Sequence, residues 1–398
     1  MKKIFLAVLC MILLPAYSAF AEEPTEAPKY GKSEGFSYAI EDDGTAEITS
    51  TSNTGDVVIP ATLDGHTVTK IRARAFERKD KIVSVTIQEG VLEIGDGAFY
   101  WCEDLKEVTL PSTIEKIGVN PFDVCEGLKS IRFSAKNPNF EVKDGVLFDK
   151  NEKRLITYLR SKRAGSYKVP EGTLHIGDSA FSGNEYLQTV SFPKSLLTIG
   201  KNAFHTCYKM KGALKLPTNL ESVGEGAFAL CMKMSSLTIP ASLKGIGPKA
   251  FLGAQFKTIT ISNENTAFQM KDGVLFTADG KTLVLYPGTL SGESYTVPKG
   301  TEELLAGSFY SVQNLQSLIV SEGVTTIGDL VCYVCPKLAE VRLPASVTSI
   351  GKSSIEGCDD DVPFVVTVPA DSFAETWAKT KTYVRNGDYY YHLDYKVE

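Results

Sequence analysis

Histidine is scarce in this chain: His66, His175, His205 and His392 are the only four in 398 residues. They share no spacing, which argues against a histidine metal site or a histidine acid–base pair. An excess of positive charge is missing too. Forty-two Lys and Arg stand against 48 Asp and Glu, a formal net charge of −6. Nucleic acid and anionic membranes are therefore not expected partners. Beyond the first 21 residues no apolar run is long enough to span a bilayer, so no membrane insertion is expected. The sequence shows no nucleophile elbow, and a Ser-His-Asp site would need three distant residues aligned on one surface. No cleft with paired carboxylates for glycoside hydrolysis is apparent either. A non-enzymatic chain without cofactors is the expectation.

The N-terminus carries an address. Lys2 and Lys3 precede an apolar run from Ile4 to Leu14, and Ala19-Phe20-Ala21 stands ahead of Glu22-Glu23. A charged region, an apolar region and a small-x-small site in that order make a secretory signal peptide over residues 1–21. Lipid attachment at Cys10 competes with this reading, but Leu9 occupies the place where a small residue is needed. Export to the periplasm, the cell surface or the medium is expected. Residues 22–35 read as a flexible linker.

A period governs most of the remainder. Ile-Gly recurs at 94, 117, 176, 199, 246, 327 and 350, and Val223-Gly224 is a variant. Steps within a run are 23 residues, with a single step of 24, and the phase extends to Ile71 and Leu304, giving ten registers. Five residues after the isoleucine stands a phenylalanine: Phe76, Phe99, Phe122, Phe181, Phe204, Phe228, Phe251 and Phe309. Upstream lies an apolar-x-apolar triplet, often closed by proline, as in Val108-Thr109-Leu110-Pro111. Such a triplet is a short strand with two side chains inward and one outward, and the proline ends its pairing. The glycine is expected at a corner and the aromatic ring in the core. One unit cannot bury its own apolar residues, whereas stacked units can. At a strand spacing of about 4.8 Å, ten turns make a body on the order of 50 Å long.

Two inserts break the period, at about 134–168 and 262–294. Each contains Asp-Gly-Val-Leu-Phe, at 144–148 and 272–276, and Asp-Gly signals a hairpin turn between β-prone residues. Residues 36–60 read as an N-terminal cap. Residues 364–398 form a C-terminal cap with a short helix around Phe373 to Lys379 and a turn signal at Asn386-Gly387.

This pattern resembles the BspA-like leucine-rich-repeat proteins. The resemblance rests on I-P-x-x-V-x-x-I-G-x-x-A-F-x-x-C-x-x-L, which stands here as Ile239-Pro240 through Ala250-Phe251 and as Leu110-Pro111 through Leu128. It covers about residues 36–380. It implies a leucine-rich-repeat solenoid over 36–363, rich in β-strand with short helical turns, two β-hairpin inserts and terminal caps. It also implies a secreted or surface-exposed bacterial protein of the kind linked to adhesion to host matrix or to other cells. The family has no shared catalytic residue to carry over, and fold alone does not give function.

Seven cysteines follow the signal segment. Cys102, Cys125, Cys207, Cys231, Cys335 and Cys358 lie eight residues after the phase isoleucine, and Cys332 lies five after it. Phase makes them small buried side chains, although neighbouring turns such as those of Cys102 and Cys125 lie near disulfide distance. Cys332-x-x-Cys335 spells a redox or metal motif, but both members fall on core positions with no second pair nearby. Asp359-Asp360-Asp361 reads as a charged loop before a calcium site. Binding through a surface remains. The middle residues of the triplets form the candidate row: Thr86, Thr109, Arg132, Ser191, Lys215 and Arg342. Tyr100, Trp101, Tyr208, Tyr310 and Tyr333 flank the core slots. An extracellular or surface protein is the expected partner. A glycan is the alternative, as for an accessory or passive scaffold protein of the envelope.

Overall fold

A computed structural model describes residues 29–356, 363–385 and 389–398. The stretch read as a signal peptide, Cys358, the Asp359–Asp361 run and the turn signal at Asn386-Gly387 lie outside the described residues. The chain is a β-solenoid whose turns stack in parallel. The phase isoleucines sit on two-residue strands, apart from Ile71 at the end of His66–Ile71, and pair rung to rung in three ladders. The first runs Ile48–Ile71–Ile94–Ile117. The second runs Leu155–Ile176–Ile199–Val223–Ile246, and the third Leu283–Leu304–Ile327–Ile350. The triplets form longer strands in separate parallel sheets, such as Gly55–Ile59, Ile82–Ile87, Glu107–Leu110 and Ser130–Phe133.

Between the two kinds of sheet the phenylalanines form a column. Ring centroids of Phe181 and Phe204 lie 4.7 Å apart, and those of Phe204 and Phe228 lie 5.0 Å apart with planes only 3° from parallel. Each turn carrying such a ring is bounded by two residues of positive φ, three and seven positions after the isoleucine. Arg74 and Arg78 do this on one rung, Gly97 and Trp101 on the next, and Asn202 and Thr206 further on. Left-handed residues at that spacing stop helix propagation, so the expected short helical turns are non-helical. They still satisfy their backbone. The N–H groups of Arg74, Phe76 and Arg78 donate to the carbonyls of Asp96, Ala98 and Tyr100 on the next rung.

The glycine after the isoleucine proves necessary for space, and its φ is not positive. A Cβ on Gly95 would stand 2.4 Å from Ala73 N, and a Cβ on Gly247 would stand 2.5 Å from Glu225 N. The backbones of successive rungs touch there.

Each insert is an antiparallel meander, Phe140–Lys143, Val146–Asp149 and Arg154–Tyr158 in the first and Phe268–Lys271, Val274–Thr277 and Thr282–Leu285 in the second. Its last strand enters the isoleucine ladder in parallel. Alternate residues of the first insert face different cores: Leu147, Ile156 and Leu159 pack with the N-terminal cluster, while Val146, Leu155 and Tyr158 pack with the central one. Burial on both faces explains the unbroken apolar runs. Each insert is thus a wall between two cores, and Tyr158 or Tyr286 takes the phenylalanine's place against Phe181 or Phe309.

The N-terminal cap is larger than the sequence suggests. Residues Lys29–Ser33, within the stretch read as a linker, form a strand antiparallel to Phe36–Ile40. Polar composition hid it, because this edge strand buries little. At the other end the helix Phe373–Lys379 is capped by Ser372, whose Oγ accepts from Glu375 N at 3.1 Å. No helix among the described residues is long and apolar enough to cross a membrane.

Candidate functional site

The cysteines are structural. The six described ones are buried, and Cys102 and Cys125 are not joined to each other. Five donate to the phenylalanine carbonyl of the preceding rung: Cys102 to Phe76 O at 3.0 Å, Cys125 to Phe99 O at 2.9 Å, Cys207 to Phe181 O and Cys231 to Phe204 O at 3.2 Å, and Cys335 to Phe309 O at 3.1 Å. A small apolar side chain with a weak donor suits that slot. Burial pushes the Cys207 thiol up to about 12 and raises Cys231 as well. At neutral pH iodoacetamide is expected to leave both unmodified in the folded chain and to alkylate both in urea, read by mass spectrometry.

Ser33 and Asp64 meet near His66, but the serine Oγ donates directly to Asp64 Oδ1 at 2.8 Å and His66 Nδ1 contacts Gly44 O at 2.8 Å. No imidazole stands between hydroxyl and carboxylate, as a serine nucleophile requires. Contrary to the sequence expectation, Gly31-Lys32-Ser33-Glu34-Gly35 does have the spacing of a nucleophile elbow, but Gly31 to Ser33 lie on the strand Lys29–Ser33 and Glu34-Gly35 form the turn to its antiparallel partner rather than a strand-to-helix turn. His175 lies half-buried on a short strand, with Nδ1 2.8 Å from Thr198 Oγ1. Among the described residues no cluster of His, Cys, Asp and Glu could hold a metal ion.

His205 is held below its usual titration range. Burial lowers it, against the opposing attraction of Asp123, while Arg160 adds to the lowering. A folded-state value below the unfolded one means that acid protonates the unfolded chain first. Stability is therefore full above about pH 6.5 and falls as pH drops through the lowered value. His205→Asn should flatten this part of a stability–pH profile measured by urea unfolding.

The candidate row faces outward, but it is not one row. Thr86, Thr109 and Arg132 stand side by side on successive strands. Ser191 pairs with Lys168 in a separate two-stranded sheet, Lys215 pairs with Thr238 in a third, and Arg342 lies between Ile319 and Thr367 in a fourth. The breaks at Ser191 and Arg342 fall at the two inserts. The two arginines are also occupied. Arg132 pairs with Glu107 at 3.4 Å, and Arg342 pairs with Glu340 at 2.9 Å and Glu398 at 3.3 Å.

The turn edge is different. Arg74 lies 5.2 Å over the Tyr100 ring and Arg78 lies 4.8 Å over the Trp101 ring, each reaching from one rung to the next. Trp101 Nε1 donates to Glu103 at 2.6 Å, which fixes the indole at the surface. Farther along, Tyr310 and Tyr333 stack with centroids 5.9 Å apart. Positive φ at Arg78 and Trp101 sets these side chains outward, because the same turn buries Phe76 and Phe99.

A second feature escaped the sequence reading. Beside the first insert a cavity of about 480 Å³ is lined by Glu126, Lys129, Arg160, Ser161, Lys162, Arg163, Gly183, Glu185 and Tyr186. Arg160 pairs with Asp123 at 3.1 Å, both largely buried. Arg163 and Lys209 lie 5.5 and 5.2 Å over the Tyr186 ring.

The model of the BspA type leucine-rich repeat region matches six copies, over residues 52–148, 158–271 and 286–360. The chain belongs to the BspA-type leucine-rich-repeat family. Its repeats account for the solenoid, and the gaps in the match fall in the two inserts. No curated protein sequence matches this chain. Solved structures similar to it include a leucine-rich cell surface protein from Faecalibacterium prausnitzii, 22% identical, covering 87% of this chain and 90% of that one at a TM-score of 0.45. A leucine-rich repeat protein from Bacteroides ovatus is 21% identical, covering 95% and 100% at a TM-score of 0.43. The pneumococcal vaccine antigen PcpA is 21% identical, covering 86% and 82% at a TM-score of 0.40.

Proposed function

We propose that this chain is an exported, non-enzymatic binding protein of the adhesion type, which engages an extracellular protein through the turn edge of its solenoid. Membership of a repeat family built for binding supports the general role. The Arg74–Tyr100 and Arg78–Trp101 pairs carry the assignment to this edge. Arginine and large aromatics supply much of the energy of protein interfaces, and here they are fixed at the surface before a partner arrives, which lowers the ordering cost of association. The signal segment supports export. The test is surface plasmon resonance of the chain from Glu22 onward over immobilised host-matrix proteins and envelope proteins. Saturable binding to one of them is the expected result. Failure to bind any of them above a scrambled-surface control overturns the reading.

A further inference from the structure

The two inserts share one fold but not one charge. From 134 to 168 there are nine Lys and Arg against four Asp and Glu, a net of +5. From 262 to 294 there are two against four, a net of −2. The difference is concentrated after the core tyrosine, where Leu159-Arg160-Ser161-Lys162-Arg163 in the first insert stands where the second has Pro287-Gly288-Thr289-Leu290-Ser291. Both segments make the same structural bonds: Ser161 Oγ donates to Leu128 O, and Thr289 Oγ1 donates to Phe256 O. Lys162 Nζ donates to Asp144 O beside the hairpin glycine Gly145, and Leu290 packs on the equivalent Gly273. The second insert folds without the cations, so the fold does not require them.

The loop forms one wall of the 480 Å³ cavity. Several cations are matched with a carboxylate on a neighbouring rung, as Lys116 is with Glu93 and Arg72 with Glu47. Among the described residues, Lys129, Arg163 and Lys209 have no such partner. Arg163 and Lys209 are instead held over Tyr186, a contact that positions the cation and leaves its N–H donors free. The lining contains no aliphatic side chain, so it offers no pocket for the apolar anchors of a peptide. It does hold Glu126 and Glu185, which accept hydrogen bonds from hydroxyl groups.

We infer that this cavity binds an acidic saccharide, a sugar chain whose sulfate or carboxylate groups meet Arg163 and Lys129 in the lining and Lys209 beside the lining residue Tyr186, while its hydroxyls meet the two glutamates. The site is separate from the turn-edge cluster at Arg74–Trp101 and does not depend on it. The test is isothermal titration of the full chain at low salt with four probes: heparin, polygalacturonate, dextran and polyglutamate. Binding to heparin or polygalacturonate that weakens with added salt is expected, and which of the two binds distinguishes sulfate from carboxylate recognition. Arg163→Ser with Lys209→Gln should lower that affinity by at least about tenfold, while Arg163→Lys retains most of it. Both changes lie on exposed positions, and unaltered thermal unfolding confirms the fold. An unchanged affinity in the double variant, or equal binding of dextran, overturns the inference. Polyglutamate binding as tightly as either acidic polysaccharide also overturns it, in favour of an acidic peptide.

Discussion

Replacing Phe204 with alanine is expected to lower the unfolding free energy by about 3–5 kcal/mol. The ring is fully buried, stacks on Phe181 and Phe228, and meets Phe192 edge-on at 5.9 Å. Removing it takes dispersion contacts from three neighbours at once and leaves a cavity that stacked rungs are poorly able to close. In a solenoid each turn contacts only its neighbours, so one weak rung weakens the coupling of everything on either side. The two tryptophans test this, because Trp101 and Trp377 lie on opposite sides of Phe204. Urea unfolding followed by circular dichroism should show the lower midpoint, and tryptophan fluorescence should show whether both ends follow it. A loss below about 1 kcal/mol would mean that the phenylalanine column is not what holds the rungs together.

Gly247→Ala and Gly245→Ala form the second large contrast. The positions are two residues apart on one rung. A Cβ at 247 would lie 2.5 Å from Glu225 N and 2.8 Å from Gly224 C, both backbone atoms of the preceding rung, whereas a Cβ at 245 meets nothing within 4 Å. The first substitution must push two rungs apart and should cost about 3 kcal/mol. The second should change stability by no more than about 0.5 kcal/mol. Thermal unfolding of the two variants side by side measures the difference. Equal effects would show that the rungs give way at this contact and that closeness is not what retains the glycine.

Much of this architecture was legible because a solenoid writes its geometry into a spacing. Ile-Gly and the phenylalanine five residues later mark ten rungs, and the structure stacks all ten. Ile48, Leu155 and Leu283 are further rungs that the pattern hides. None is followed by glycine, and the insert rungs reach their aromatic, Tyr158 or Tyr286, after three residues where the others take five. Their turns are shorter, so the period had no purchase on them. The outward row was legible residue by residue but not as a surface, since two of its breaks fall at the inserts and another, between Ser191 and Lys215, has no mark in the spacing. The cavity by Tyr186 draws Lys129 and Arg163 together, with Lys209 beside Tyr186, from three different rungs, and no local motif links them. The charge difference between the two inserts was the available signal.

The account places recognition on the turn edge, with the strand face contributing little. Positions 78 and 101 have positive φ, so asparagine, which tolerates that conformation, is the replacement that removes the side chain with least backbone strain. The deciding measurement compares the affinity of three chains for whichever matrix or envelope protein is bound: the unaltered chain, Arg78→Asn with Trp101→Asn, and Thr86→Glu with Thr109→Glu. The account predicts a loss of at least about tenfold in the turn-edge variant and little change in the strand-face variant. Full affinity in the first with loss in the second would contradict it and return the site to the row of strand residues.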